Sequence, residues 1–181
     1  MSLPNPQKNY FQLFDLPVDF QLDKTQLGER YRQLQKELHP DRYASASAHE
    51  QRLAVQYSAL INEAYASLRK PLPRALYLLE VAGMSKENIS GQEIDGGFLL
   101  TQMELREKLA SLDDGAHTAS ALEQLVAEIG FDVIELHEQF SAAYSGGELS
   151  AAAKACIKLQ YLDKLLLEAE QMESRLIDNQ T

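Results

Sequence analysis

A helix that must end at a proline is the feature that most constrains how this 181-residue chain can fold. Four apolar residues recur at spacings of four, three and four and form one stripe of a helix: Leu27, Tyr31, Leu34 and Leu38. Pro40 follows them; it has no N–H to donate, and its ring disfavours helical backbone angles at His39. We therefore expect the helix to end near Leu38. Asp41 is expected in a loop, with its side chain free to cap a turn or to meet a partner.

A second long helix is predicted to follow and to pack back against the first. Ser47 and Glu50 have the spacing of a capping box, so they mark its start. Its apolar stripe consists of Leu53, Tyr57, Leu60, Ile61, Ala64 and Leu68. Two cations, Arg69 and Lys70, mark its end. Two long helices joined by a turn form an antiparallel hairpin, and a further short helix is expected over residues 74–81.

The rest of the chain is predicted to be helical as well. Apolar stripes at helical spacing run through three segments, residues 98–112, 118–144 and 149–177. Three such helices with short connections predict an antiparallel three-helix bundle. No segment alternates apolar and polar residues with a period of two, so the expected fold class is all-α. The expected domains are residues 1–79 for the hairpin, 80–97 for a helix end and a glycine-containing linker, and 98–181 for the bundle.

The distribution of charge excludes one class of partner. The net charge is −10. Residues 1–79 hold 10 Lys and Arg against 8 Asp and Glu, whereas residues 80–181 hold 7 against 19. The acidic second half argues against nucleic acid, because phosphate binding needs a clustered positive surface. The asymmetry indicates two units with different partners.

Composition also bears on membranes, redox state and metals. No run of about 18 apolar residues is present, so we expect no transmembrane helix and no membrane partner. The short polar N-terminus lacks the pattern of a signal or transit peptide. One cysteine, Cys156, fits a reducing compartment and is expected to be a small apolar filler. His49, His117 and His137 lack the spacing of metal ligands. We expect a cytoplasmic protein without a metal or cofactor.

The first half of the chain resembles a J-domain, the module of the J-protein (DnaJ) co-chaperones. In that family a His-Pro-Asp loop joins the two helices of a hairpin, as His39-Pro40-Asp41 does here. The resemblance implies docking on the nucleotide-binding part of an ATP-loaded DnaK-type chaperone and stimulation of its ATP hydrolysis. Positive charge beside the loop could steer this domain towards an acidic partner surface. The implied chaperone-docking residues are His39, Pro40, Asp41, Arg30, Arg32, Lys36 and Arg42.

An enzyme that uses His39 and Asp41 as an acid–base pair is the competing interpretation. The two residues are two apart in sequence and can touch in a loop. No serine or cysteine nucleophile motif and no glycine-rich phosphate loop accompanies them. We therefore expect no catalytic residue in this chain. An enzyme would show turnover by the purified protein alone.

The stretch 98–109 allows two interpretations. One helical face carries Leu105, Leu109 and Leu112. Another face carries Leu99, Met103, Glu104 and Glu107. Either both faces pack inside the bundle, or the second face, together with Leu100, is an exposed apolar patch with acidic flanks. An exposed patch of this kind would mark a protein-binding site. From the residues alone burial is favoured, because apolar positions at helical spacing usually belong to a core.

Three stretches after the hairpin extend the resemblance: Arg69 to Leu79, Met103 to Glu107 and Leu162 to Leu165. With the J-domain at the N-terminus, they look like the HscB-type iron–sulfur cluster co-chaperones of the J-protein family, from about residue 9 to residue 177. The resemblance implies that the C-terminal bundle binds an IscU-type cluster scaffold and delivers it to a specialised HscA-type chaperone. The implied scaffold-binding residues are Leu99, Leu100, Met103, Glu104, Glu107 and Tyr161.

The chain departs from the family pattern at several positions. Leu100 and Met103 stand where the pattern has methionine and leucine, an exchange of similar volume. Tyr161 replaces a phenylalanine, so its added hydroxyl needs water or a partner. Ser111 stands where the bacterial pattern has an acid, so we expect one acidic contact fewer. The chain lacks the cysteine-rich zinc segment of some eukaryotic members, which indicates the bacterial form. Nothing demands more than a monomer, and a J-protein with an unrelated client on the bundle is the open alternative.

Overall fold

The computed structural model describes residues 8–112 and 118–178, and the secondary structure in these ranges is helical, without a strand. The all-α fold class predicted from the sequence is therefore confirmed. The chain divides into two compact units, Met1–Gly83 and Met84–Thr181. The division follows Gly83, whose φ of 91° lies in the left-handed region that glycine adopts without strain.

The first unit contains the predicted hairpin and two shorter helices. The helices are α1 (Tyr10–Leu13), α2 (Lys24–Glu37), α3 (Ala48–Arg69) and α4 (Pro71–Val81), with a 3₁₀ turn over Pro40–Tyr43 between α2 and α3. Asp23 caps α2, because its carboxylate accepts hydrogen bonds from the backbone N–H groups of Thr25 and Gln26 at 2.8 and 3.0 Å. Leu38 is the residue that ends α2, as the position of the proline predicts.

The predicted capping box opens α3. The Ser47 hydroxyl accepts a hydrogen bond from the Glu50 N–H at 3.3 Å, and the Glu50 carboxylate accepts one from the Ser47 N–H at 2.9 Å. The two long helices meet through the stacked rings of Tyr31 and Tyr65, whose centroids are 4.0 Å apart. The largest fully buried side chains of this unit are Phe11, Phe14, Leu27, Ile61, Leu68, Leu78 and Leu79.

Two expectations for this unit are wrong in detail. The sequence predicts a loop directly after α2, but Pro40–Tyr43 forms a 3₁₀ turn. His39 caps this turn, because its imidazole Nδ1 accepts a hydrogen bond from the Asp41 N–H at 3.4 Å. The short helix predicted from residue 74 begins at Pro71. Proline is favoured there, since the first turn of a helix leaves its N–H groups unpaired in any case.

A buried arginine, which the sequence does not predict, joins α3 to α4. Arg74 is only 4% exposed. Its Nη1 donates a hydrogen bond to the carbonyl oxygen of Leu68 at 2.6 Å, one of the carbonyls that the end of α3 leaves without a helical partner. Its guanidinium lies 5.2 Å from the centre of the Phe20 ring. Burial lowers the pKa of Arg74.

The second unit contains the predicted bundle and one unexpected helix. Its helices are α5 (Lys86–Ser90), α6 (Gly96–Ala110), α7 (Thr118–Ser145) and α8 (Leu149–Asp178). Helix α5 lies in the segment that the sequence assigns to a linker. Ile89 of α5 is buried, and the Ser150 hydroxyl donates a hydrogen bond to the Gln92 side chain at 2.6 Å. Residues 84–95 are thus packed into the second unit.

Two ion pairs show how α6 lies along α8. Lys158 contacts Asp95 at 2.6 Å, and Arg106 contacts Glu168 at 3.1 Å. From Asp95 to Arg106 the chain advances eleven residues, and from Lys158 to Glu168 it advances ten. Because the paired residues follow in the same order on both helices, α6 and α8 run in the same direction. The short turn at Gly147, whose φ is 75°, reverses the chain between α7 and α8. The result is the up-down-up order of an antiparallel three-helix bundle.

Candidate protein-docking surfaces

The His-Pro-Asp turn presents its carboxylate to solvent. The Asp41 side chain is 91% exposed, and its Oδ2 lies 3.5 Å from the Nδ1 of His39. The same Nδ1 accepts a hydrogen bond from the Asp41 N–H. The 3₁₀ turn begins at Pro40 and orients both side chains. The arrangement leaves the Asp41 carboxylate available to a donor on another molecule.

The structure brings together three of the predicted chaperone-docking residues. Arg32, Lys36 and His39 line a shallow groove of about 360 Å³. Arg42 is exposed on the 3₁₀ turn and does not line that groove. Arg30 is half-buried, and it lies roughly 160° around α2 from Arg32, because a helix turns by about 100° per residue. Arg30 is therefore separated from the other cations of this surface.

A second cavity beside the turn was not predicted from the sequence. It has a volume of about 500 Å³, and Tyr43, Val55 and Ser58 are among its lining residues. Ser58 also lines the groove that contains His39. Val55 is exposed although it is apolar. The only sequence signal was that Val55 and Ser58 lie off the apolar stripe of α3, which by itself does not distinguish a docking residue from a solvated one.

The structure favours the exposed interpretation of the stretch 98–109. Leu105 and Leu109 are buried in the bundle, whereas Leu99, Leu100 and Met103 are 38%, 61% and 68% exposed. Glu104 and Glu107 are exposed beside them, and no ion pair involves either glutamate within the described ranges. We call the surface formed by Leu99, Leu100, Met103, Glu104 and Glu107 the α6 patch. It combines exposed apolar area with unpaired negative charge, which is characteristic of a protein-binding site.

Tyr161 of α8 lies next to the α6 patch. Leu99 and Arg106 are seven residues apart on α6, and Tyr161 and Glu168 are seven residues apart on α8. Seven residues are close to two helical turns, so the Arg106–Glu168 ion pair places Leu99 beside Tyr161 on the neighbouring helix. The Tyr161 ring also meets the Phe98 ring edge to face, with centroids 6.2 Å apart. Tyr161 is itself exposed and extends the apolar surface.

Lys158 supports the beginning of α6. Its ammonium binds the Asp95 carboxylate and lies 5.0 Å from the centre of the Phe98 ring. Asp95 caps α6 by accepting a hydrogen bond from the Phe98 N–H at 2.8 Å. The hydrogen bond from Lys158, followed by the bond from the Phe98 N–H, holds the pKa of Asp95 below its usual value. Leu99 and Leu100 follow directly, so these contacts position the patch.

The described residues offer no metal-binding cluster of three or more His, Cys, Asp or Glu side chains. Cys156 is fully buried, and burial raises the pKa of its thiol to about 12, which suits the apolar filler predicted for it. His117, one of the histidines considered as a ligand, lies outside the described residues. In the ranges that the structure covers, no helix is long and apolar enough to cross a membrane.

Comparisons with known proteins cover both units. Residues 94–170 match the family model described as the HSCB C-terminal oligomerisation domain. The co-chaperone protein HscB homolog of Aeromonas salmonicida is 41% identical over 171 residues, which span 94% of this chain and 99% of the relative. The chaperone HscB from Vibrio cholerae has a similar structure, with a TM-score of 0.84 and 38% identity over 93% of this chain and 99% of the other. The crystal structure of human co-chaperone protein HscB has a TM-score of 0.87 and 29% identity, over 96% of this chain and 86% of the human chain.

Proposed function

The chain belongs to the HscB family of co-chaperones, and from this premise we propose that it links two proteins through two separate surfaces. Its family membership makes it a J-type co-chaperone in iron–sulfur cluster assembly. The first unit docks on an HscA-type chaperone of the DnaK class and stimulates its ATPase. The second unit binds an IscU-type scaffold protein. The observation that supports the proposal most strongly is similarity over nearly the whole length of HscB relatives, with a candidate docking surface in each unit.

The His-Pro-Asp turn suits the chaperone side of this function. Asp41 offers an exposed carboxylate to a partner arginine, as charge-assisted binding requires. Arg42 follows Asp41 in the turn, and Arg32 and Lys36 line a groove with His39; this positive charge would accelerate encounter with an acidic surface. The 3₁₀ turn restrains the backbone at Asp41 and Arg42, so less conformational entropy is lost on docking. Stimulation follows if the docked turn contacts one conformational state of the chaperone better than the other.

The α6 patch suits the scaffold side. Leu100 and Met103 supply apolar area that a partner can remove from water. Glu104 and Glu107 flank this area and favour a partner that places basic groups at its rim. Tyr161 adds an aromatic side chain, of the kind that often dominates interface energetics. Ser111, which replaces the acid of the family pattern, is exposed and its hydroxyl donates to the Lys108 carbonyl, so it contributes no charge to this rim.

The same proposal gives His39 and Asp41 no catalytic role. Both side chains are exposed, at 60% and 91%, and therefore lack the water-excluding environment in which acid–base groups are tuned. We place the protein in the cytoplasm and assign it neither a resident metal nor a cofactor.

Isothermal titration calorimetry tests the proposal directly, with purified IscU-type scaffold in one titration and ATP-loaded HscA-type chaperone in another. We expect heat of binding in both. Binding to the chaperone without binding to the scaffold would identify a J-protein with a different client. Binding to neither protein would overturn the proposal.

A further inference from the structure

The second unit has an apolar groove between α7 and α8 that the proposed function does not use. Its volume is about 760 Å³, within the range of about 300–1,000 Å³ that binding clefts occupy. Buried side chains of Leu122, Ala169 and Leu176 form its floor. We call this site the acidic groove; Glu123, Val126, Leu166, Glu170 and Glu173 also line it.

The acidic groove opens on the face of the α7–α8 pair that is turned away from α6. Helix α6 lies on the side marked by its ion pairs, Lys108 with Glu128 on α7 and Arg106 with Glu168 on α8. Glu128 comes two residues after Val126, and Glu168 comes two residues after Leu166. A step of two residues turns roughly 200° around a helix. Val126 and Leu166 therefore face away from α6, so the mouth of the groove does not coincide with the α6 patch.

The charge around this groove is of one sign. Glu123, Glu170 and Glu173 are exposed at its rim, and no ion pair involves any of them in the part of the chain that the structure describes. None of the lining residues is lysine or arginine, and α7 contains neither residue type over its full length. An occupant that buries the apolar floor must therefore bring its own positive charge.

The same charges disfavour a second copy of this chain as the occupant. Two acidic grooves facing each other would bring together six glutamates without a cation to separate them. Like charges placed opposite each other cost binding free energy and exclude the wrong partner. A basic partner gains from the same arrangement, because the rim then attracts it and accelerates association.

We propose that the acidic groove is a second docking site, which takes an amphipathic helix from a basic partner protein. Leucine-like side chains on one face of that helix fill the groove, in the manner of other helix-in-groove complexes. Lysine or arginine side chains along the edges of the same helix meet Glu123, Glu170 and Glu173. The exposed side chain of Val126 is the apolar contact at the mouth of the groove.

A labelled model peptide tests this site on the full chain. The probe is a 16-residue helix of leucine and lysine, with leucine confined to one face, and binding is followed by fluorescence anisotropy. Glu170→Lys with Glu173→Lys should weaken binding at least about ten-fold, because two rim charges that attract the peptide's lysines would then repel them. The matched control is the charge reversal Glu135→Lys with Glu138→Lys on α7, outside both the acidic groove and the α6 patch, which should change peptide binding by less than about two-fold. All four glutamates are exposed, so circular dichroism should show unchanged helix content.

A further variant separates docking in the groove from general attraction to negative charge. Val126→Glu adds an acid, so a purely electrostatic complex would bind the lysine peptide more tightly. Docking in the groove predicts weaker binding, because the new carboxylate would be desolvated against the peptide's leucines. Tighter binding by Val126→Glu, equal loss in both charge-reversed variants, or no binding by the unmodified chain would overturn the proposal. A dimer of the chain that Glu170→Lys with Glu173→Lys dissociates would overturn it in favour of a second copy.

Discussion

Lys158 on α8 donates a hydrogen bond to the carboxylate of Asp95 at 2.6 Å, and Asp95 is the residue that caps α6. The pair ties the first turn of α6 to the middle of the bundle, one turn before Leu99. The α6 patch therefore depends on a contact with another helix, although all five of its residues lie on α6. This relationship makes the position of the patch sensitive to residues that do not belong to it.

Replacement of Asp95 by asparagine should remove the ion pair and keep the cap, because both residues cap helices well. The pKa of Asp95 is lowered in the folded chain. The ion pair therefore contributes its full stabilisation at pH values above the unfolded pKa of about 3.9. This stabilisation is lost as the pH falls through the lower pKa of Asp95 in the folded chain. We expect Asp95→Asn to unfold at a lower urea concentration than the unmodified chain at about pH 6, with a smaller difference at about pH 2.5.

The matched control is Glu93→Gln, which neutralises an exposed acid of the same segment that forms no hydrogen bond or ion pair within the described residues. It should unfold like the unmodified chain at both pH values. A difference for Asp95→Asn that is equally large at both pH values would contradict the role of the ion pair.

Truncation of the exposed apolar side chains of the α6 patch should weaken scaffold binding without affecting the fold. For Leu100→Ala with Met103→Ala we expect a rise in Kd of at least about ten-fold, because each truncation removes apolar contact area that the complex buries. Calorimetric titration with the scaffold measures the change. Phe131→Ala is the control, since Phe131 is an exposed apolar residue of α7 outside the patch, and it should bind with unchanged Kd.

Tyr161 should contribute to scaffold binding through its ring rather than through its hydroxyl. The ring meets Phe98 edge to face and lies beside Leu99. We expect Tyr161→Phe to bind the scaffold within about two-fold of the unmodified chain and Tyr161→Ala to bind roughly ten-fold more weakly, as for an aromatic interface residue. The same titration distinguishes the two. A loss in Tyr161→Phe as large as in Tyr161→Ala would mean that the hydroxyl carries the contact.

Arg74 should be a determinant of the stability of the first unit. Its removal leaves the buried Leu68 carbonyl without the donor that now lies at 2.6 Å. We expect Arg74→Ala to lower the free energy of unfolding by about 1–3 kcal/mol, measured by urea denaturation. Arg69→Ala is a suitable comparison, because Arg69 is exposed at the end of the same helix, and it should change stability by less than about 0.5 kcal/mol. Equal effects of the two substitutions would show that burial of Arg74 does not matter.

Helix ends were predictable because their causes are local in sequence. The Ser47–Glu50 box opens α3 and Pro40 follows the end of α2, each acting through groups within a few residues. The helical stripes likewise predicted the bundle, since a period of 3.6 residues is a property of the sequence itself. Helix α5 was missed because it is five residues long, and burial of Ile89 and the bond to Ser150 depend on a helix about 60 residues later.

The exposed face of α6 could not be decided from periodicity alone. Both Leu99 and Leu105 occupy apolar positions of one helix, and the pattern does not say which of them the other helices cover. Burial is decided by the face that α6 turns towards the other two helices, and in the structure that face carries Leu105 and Leu109 rather than Leu99. The burial of Arg74 was equally hidden, because an arginine is rarely buried and its sequence neighbours do not reveal the Leu68 carbonyl.

The central claim is that separate surfaces of one chain engage a chaperone and a scaffold. It is tested most directly by the ATPase rate of an HscA-type chaperone with this chain, measured with and without scaffold. The unmodified chain should stimulate the rate, and scaffold should raise it further. With Asp41→Asn the increase in the ATPase rate should be at least about ten-fold smaller in both conditions, because a charged hydrogen bond contributes about 1.5–3 kcal/mol.

Leu99→Ala with Met103→Ala should behave differently in the same measurement. It should keep the stimulation seen without scaffold and lose the increment that scaffold adds, because the α6 patch belongs to the second unit. Glu93→Gln should match the unmodified chain in both conditions. Stimulation by Asp41→Asn equal to that of the unmodified chain, or loss of both components in the patch variant, would contradict the assignment of the two surfaces.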